Sequence, residues 1–266
     1  MNILITVCGR AGSKGVKGKN TKIFNGYPLV LYTFSVIDLL MEQLNHYVDV
    51  AINTDSMEII ELTKSFRNFI LVNREQALAG EHVSKLNVIR DTLLKTSDYT
   101  GINYDLVLDL DITSPIRTVN DIIRVIDLKN ENKDLDVVFS VVRSRRSPFF
   151  NMVKDEAGKA RLVQEARYTA RQQVPQTYDM NASIYAYDPS YLITAEHLFD
   201  GNCGMVEMED TLVLDIDCEQ DFQWMEYIYI KLLQDNKGFE EVYINIKNIY
   251  DYKSNINISI DNASSQ

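Results

Sequence analysis

Cysteine and histidine are scarce, with three of each in 266 residues. Cys8, Cys203 and Cys218 are odd in number and far apart, which argues against a disulfide framework and makes the cytoplasm the expected compartment. His46, His82 and His197 share no spacing that would gather them around a metal, so they read as surface or structural residues. Positive charge is short as well: 27 Lys and Arg against 38 Asp and Glu leave a net charge of −11. That balance argues against a broad nucleic-acid surface, where phosphates are held by excess cations, but leaves room for a basic pocket around a small anion. No stretch approaches the ~20 apolar residues of a membrane helix, and Met1-Asn2 lead straight into the apolar run ILITV, so neither a membrane span nor a signal peptide is expected.

What is present is alternation. Strands are expected at Asn2–Cys8, Val48–Asn53, Phe69–Val72, Leu106–Leu110 and Val137–Val142. Helices are expected at Pro28–Leu44, Ser56–Phe66, Ser84–Thr96 and Val119–Lys129. This order implies β-α-β crossovers, hence an α/β fold with a mostly parallel sheet covered by helices on both faces. Ligands of such sheets sit beyond the carboxyl ends of the strands, which directs attention to the loops after Cys8, Asn53 and Leu110. From about 144 to 180 the chain turns polar and Arg-rich with weak periodicity, as an insertion built for contacts. Strands follow at Asn181–Tyr187 and Thr211–Ile216, then a helix at Glu219–Leu233. Residues 1–235 thus read as one domain, and 236–266 as a partly disordered extension.

The loop after the first strand, CGRAGSKGVKGKN (Cys8–Asn20), carries Gly9, Gly12, Gly15 and Gly18 with Arg10, Ser13, Lys14, Lys17 and Lys19 among them. Glycines let backbone N–H groups approach an oxyanion, and the cations neutralise it, so a triphosphate is the natural guest. The loop is not a Walker A motif, because Gly18-Lys19 is followed by Asn20. It is not GxGxxG either, because Ala11 stands two residues after Gly9.

This loop, with its Arg-x-x-Ser-Lys-Gly and Lys-Asn ends, resembles the opening signature of acylneuraminate cytidylyltransferases. Three more segments recur in that family's order: TSPIR (Thr113–Arg117), RQQVPQTYDMNASIYAYD (Arg171–Asp188) and LDIDCEQDF (Leu214–Phe222). The resemblance implies a three-layer, Rossmann-like nucleotidyltransferase fold, CTP and a 2-keto sugar acid as substrates, and Mg²⁺ (or Mn²⁺) as cofactor. It also implies a homodimer in which the insertion reaches the partner's site. Carried over by position, Arg10, Lys19 and Asn20 contact the nucleotide, together with Gly12 and Ser13 of the same loop and with Arg74 and Ser84. Arg10, Lys19 and Asp217 are the expected catalytic groups. Asp215 and Asp217 match the metal-holding Asp-x-Asp pair, and Arg171, Asn181 and Tyr185 match the sugar-acid pocket. Two departures point within the family. Asp111-Ile112 replaces the usual Gln-Pro before Thr-Ser-Pro, and SRRSPFFNMV places Phe149 and Phe150 where a lysine is usual. Both resemble the branch acting on legionaminic acid, a 5,7-diamino relative of sialic acid, and make Phe150 a sugar-pocket candidate.

The transfer requires attack of a sugar hydroxyl on the α-phosphorus of CTP, governed by positioning and charge. Asp111, at a strand's carboxyl end, is expected to meet the triphosphate and to serve as a further metal ligand. Arg117 is expected to anchor structure. No residue stands out as general base. Competing readings are the same reaction on another acid (N-acetylneuraminate, pseudaminate or the eight-carbon 3-deoxy-octulosonate), a metal-dependent glycosyltransferase, and a non-catalytic nucleotide-binding protein. The four-glycine, lysine-rich loop speaks against the glycosyltransferase.

Overall fold

The computed structural model describes residues 1–12, 15–80, 82–210 and 215–263, with side chains as far as 250. Along the chain run β1 (Asn2–Gly9), β2 (Ile23–Phe24), β3 (Tyr27–Pro28), α1 (Val30–Gln43), β4 (Tyr47–Thr54), α2 (Met57–Phe66) and β5 (Ile70–Asn73). There follow α3 (Lys85–Thr100), β6 (Leu106–Leu110), α4 (Val119–Glu131), β7 (Val137–Arg143), β8 (Val153–Glu156), β9 (Lys159–Leu162) and β10 (Tyr178–Tyr187). The chain continues through α5 (Pro189–Thr194), β11 (Cys203–Glu207), α6 (Glu219–Asp235) and α7 (Lys237–Ala263).

Among the described residues seven strands form one sheet in the order β11-β7-β10-β6-β1-β4-β5. The β1–β4, β1–β6, β4–β5 and β7–β11 pairs are parallel, and β10 runs antiparallel to both neighbours. The strand order reverses at β1, between β4 and β6, which opens a crevice beyond their carboxyl ends. Alternating side chains divide the core into two layers. Ile3, Ile5 and Val7 of β1 join the core that contains residues of α1, α2, α4, α6 and α7. Leu4 of β1 and Val107 of β6 join the opposite core, with Leu86, Ile89 and Leu93 of α3 and Leu192 of α5. The fold is therefore a three-layer α/β/α sandwich with a mostly parallel sheet.

Local signals explain where helices begin and end. The Ser56 hydroxyl accepts from Ile59 N at the start of α2. Thr118 and Asp121 cap α4 reciprocally, and Gly101, at φ 73°, ends α3.

The structure goes beyond the sequence expectations in several places. Of the strand expected at Thr211–Ile216, residues 211–214 lie outside the described residues, while 215 and 216 are irregular backbone. The insertion holds an exposed hairpin, β8–β9, and the sheet gains an edge strand, β11. The stretch after 235 is not a partly disordered extension over its described length. It forms α7, whose Phe239, Val242 and Ile246 are buried in the same core as α1, so the domain continues past 235. Among the described residues no helix is long and apolar enough to cross a membrane.

Candidate functional site

The loop leaving β1 is tied down at its middle by Val16, which is fully buried. Gly15 is a close approach: a Cβ there would stand 1.8 Å from the carbonyl oxygen of Asp217. Gly18 takes a φ of 61°, a left-handed conformation that glycine adopts freely, and leads into the 3-10 turn Lys19–Thr21. That turn directs Lys19 across the crevice. Its Nζ donates to the Ile216 carbonyl and lies 3.8 Å from the Asp217 carboxylate. Asn20 Nδ2 donates to the Arg10 carbonyl at 3.1 Å, and Ala11 N donates to Asp55 Oδ1 at 2.7 Å, which together close the loop's first turn.

Arg10, Gly12, Lys19 and Asn20 from this loop line one cavity of about 270 Å³ together with Arg74, Lys85, Asp111 and Thr113. Arg74 is buried and fixed by donating from Nε to Asn53 Oδ1 at 2.8 Å and from Nη2 to the Asn53 carbonyl at 3.0 Å. Ser84 is the N-cap residue of α3, with no hydrogen bond from its side chain to the helix end. Ser13 lies outside the described residues. A larger groove of about 620 Å³ follows edge strand β5 past Leu71, Lys95 and Tyr99, but it gathers none of the motif residues.

The far wall is built on β6. Thr6, Asp109 and Tyr185 stand in register across β1, β6 and β10, and Thr6 Oγ1 donates to Asp109 Oδ1 at 2.7 Å. Asp109 and Asp111, two residues apart at a strand end, face the same side. Lys85, the first residue of α3, meets both, with Nζ 2.8 Å from Asp109 Oδ2 and 2.5 Å from Asp111 Oδ2. Asp111 Oδ1 accepts from Thr113 N and Oγ1, each at 2.8 Å. Burial alone would raise the Asp111 pKa, but Lys85 and the Thr113 donors prevail and hold it down to about 2. For Lys85, burial opposes the charge, and the two carboxylates outweigh it, so its pKa stands well above the usual value. Burial also pushes the Tyr185 phenol up to about 12.

Arg117 is fully buried and anchors this wall. It donates to the Asp111 carbonyl, to Thr33 Oγ1 at 2.6 Å and to the Ser183 carbonyl at 2.5 Å. Asp215 and Asp217 lie on the irregular segment before α6, which is seated by Ile216 N donating to the Thr113 carbonyl at 3.2 Å. Asp215 Oδ1 is buried with no hydrogen-bond partner among the described residues, and the Asp215 pKa is raised, first by burial and then by the Asp111 carboxylate. Asp217 is exposed; its N–H donates to Asp221 Oδ2 at 3.0 Å, so Asp221 serves the start of α6. Among the described residues no three His, Cys, Asp or Glu side chains form a cage for a metal. A half-buried carboxylate with one free oxygen among the described residues nevertheless fits a hard divalent cation whose remaining ligands are substrate oxygens and water.

The four residues expected in a sugar pocket are dispersed. Tyr185 stacks on Tyr187 and lies 5.4 Å from Lys85 Nζ, at the crevice. Asn181 is 1% exposed and is spent on the core, accepting from Ser140 Oγ at 2.6 Å and, through its carbonyl, from Ser114 Oγ at 2.7 Å. Phe150 and Arg171 line a separate hollow of about 60 Å³ within the insertion, where Arg171 Nη2 donates to the Arg145 carbonyl at 3.1 Å. Lys85 was not singled out by sequence reasoning, because on the first turn of a helix it reads as a solvated surface lysine. The signal for it was the strand LDLD: a buried strand carrying two carboxylates needs a counter-ion from elsewhere.

A family model described as Cytidylyltransferase matches residues 4–255. The CMP-N,N'-diacetyllegionaminic acid synthase of Campylobacter jejuni is 34% identical over 226 residues, spanning 85% of this chain and 94% of that protein. The Post-translational flagellin modification protein B of Campylobacter coli is also 34% identical, with the same coverage of both chains. Among solved structures, a CMP:2-keto-3-deoxy-manno-octonic acid synthetase complexed with CTP superposes with a TM-score of 0.63 at 14% identity, covering 87% of this chain and 99% of that one.

Proposed function

The chain belongs to the cytidylyltransferase family, and from that premise we propose that it transfers CMP from CTP to legionaminic acid, a nine-carbon 2-keto sugar acid, releasing pyrophosphate. The observation that carries this reading is the convergence of Arg10, Lys19, Asn20, Arg74 and Asp111 on one cavity at the strand-order reversal. In such a site Arg10 and Lys19 neutralise the triphosphate, and the open backbone around Gly12 approaches it closely. Arg74 and Ser84 receive the nucleoside end. The sugar hydroxyl attacks the α-phosphorus from the β6–β10 side, where Tyr185 lies, and pyrophosphate leaves along the cationic loop.

Asp215 and Asp217 would hold Mg²⁺ or Mn²⁺, which when bound would neutralise phosphate charge and make the attacking hydroxyl more acidic. Asp111, expected as a further ligand, instead has both oxygens engaged by Lys85 and Thr113. The choice of acid is supported by the 34% identity to a synthase whose name specifies the diacetyl-legionaminic product. Asp111-Ile112 and Phe149-Phe150 support it from the sequence side. Arg171 and Phe150 are set apart from Tyr185 within one chain, and Phe150, Met152 and Val153 of the insertion are exposed. Both features support a homodimer in which one insertion completes the neighbouring crevice. A cytoplasmic setting is part of this reading, supported by the three free cysteines.

Pyrophosphate release with CTP, Mg²⁺ and a panel of legionaminic, N-acetylneuraminic, pseudaminic and octulosonic acids tests the proposal. Release with legionaminic acid, dependent on CTP over other triphosphates, is the expected result. Preference for N-acetylneuraminate would move the substrate, and silence across the panel from folded protein would overturn the activity.

A further inference from the structure

The two carboxylates at the end of β6 have a counter-ion supplied by the chain itself. Asp109 is fully buried, and among the described residues its Oδ2 has no aligned hydrogen-bond donor; its charge is met by the ion pair with Lys85 Nζ at 2.8 Å. The same Nζ reaches Asp111 Oδ2 at 2.5 Å. Two carboxylates two residues apart on a strand, directed at one point beside a cavity, form the hard oxygen set that a divalent cation takes. Here an ammonium fills that point, with the Tyr185 ring 5.4 Å away. The helix does not account for a lysine there: at the first residue of α3 a cation opposes the helix dipole. Lys85 is ion-paired to both Asp109 and Asp111, and no comparable ion pair holds Asp215 among the described residues, where Lys19 stands nearer Asp217.

We propose that Lys85 is a positioning residue that takes the place of a divalent cation on Asp109 and Asp111, so that the site admits a cation only from the Asp215 side. The ammonium keeps the Asp111 carboxylate oriented toward the crevice whether or not metal is bound. This rests on the site described above, but its test needs neither CTP nor sugar acid, so it can fail while the proposed reaction stands, and the reverse.

The test is the full chain carrying Lys85→Met, compared with wild type by thermal melting in chelator-treated buffer and with added Mg²⁺, and by counting bound Mn²⁺ by electron paramagnetic resonance. Leaving the buried Asp109 and the half-buried Asp111 without their cation should lower Tm by about 10 °C without metal. Added Mg²⁺ should restore most of that loss in Lys85→Met while shifting wild type little, and the variant should bind one more Mn²⁺ per chain. Lys85→Arg, which keeps the charge, should remain insensitive to metal. If Lys85→Met does not fold without metal, Lys85→Met combined with Asp109→Asn should, because one charge leaves with the other. Equal metal responses in wild type and Lys85→Met would overturn the proposal, as would a double variant no more stable than the single one, which would make the role one of packing.

Discussion

At the residue scale, the crevice consists of charges held at fixed positions by neutral neighbours. Arg10 reaches the cavity from a loop whose first turn is closed by Asn20 and Asp55. Removing its charge should act on nucleotide affinity: Arg10→Ala should raise KM for CTP about tenfold or more, measured by steady-state pyrophosphate release. Asp215 carries a different signature, a buried oxygen with no partner among the described residues. Asp215→Asn should abolish turnover while leaving Tm in metal-free buffer unchanged or raised, because the substitution removes a carboxylate that burial and Asp111 disfavour. Asp111 should mark the acid limb of stability. Its folded-state pKa of about 2 lies below the ordinary carboxylate value, so its contribution is complete above about pH 4 and is lost as pH falls toward 2. Denaturant titrations across that window should show a shallower fall for Asp111→Asn.

At the scale of elements, the antiparallel strand β10 decides how the β6 wall is built. Its register shifts between Met180 and Tyr185, and within that bulge Ala182 takes a φ of 53°, in the left-handed region. The bulge turns Asn181 inward to Ser140 and presents the Ser183 carbonyl to Asp111 N and Arg117. An alanine there is strained by about 1 kcal/mol, partly offset for glycine by its unfolded-state freedom. Ala182→Gly should therefore be neutral or stabilising by about 0.5 kcal/mol, and Ala182→Val destabilising by more than 1 kcal/mol in urea denaturation. None of this was legible in NASIYAY, whose alternation announces a strand but not its bulge, since bulges are set by pairing with two neighbours of different length.

At the scale of the whole molecule, α7 closes the core rather than trailing from it. Phe239, Val242 and Ile246 are buried beside α1, and Ser35 Oγ donates to the Val242 carbonyl at 2.7 Å. Burial of three such side chains contributes on the order of 5 kcal/mol, comparable to the whole stability of a typical domain. A chain ending at residue 235 should fail to give a cooperative thermal transition by circular dichroism, and Phe239→Ala alone should cost about 3 kcal/mol.

The sequence by itself determined the alternation of strands and helices, the basic loop after β1, and the motif residues that the family shares. Each of these is a short-range pattern: hydrophobic period, capping chemistry, and glycines spaced with cations within a dozen residues. Only the tertiary structure decided which of them meet. It brought Arg74 and Asp111 to the loop of Arg10, set Lys85 between Asp109 and Asp111, and spent Asn181 on the core. It also kept Arg171 and Phe150 apart from Tyr185 and drew the last helix into the domain. Those outcomes depend on strand order and register, through which residues a hundred positions apart become neighbours, and on the buried charge that must be balanced wherever they meet.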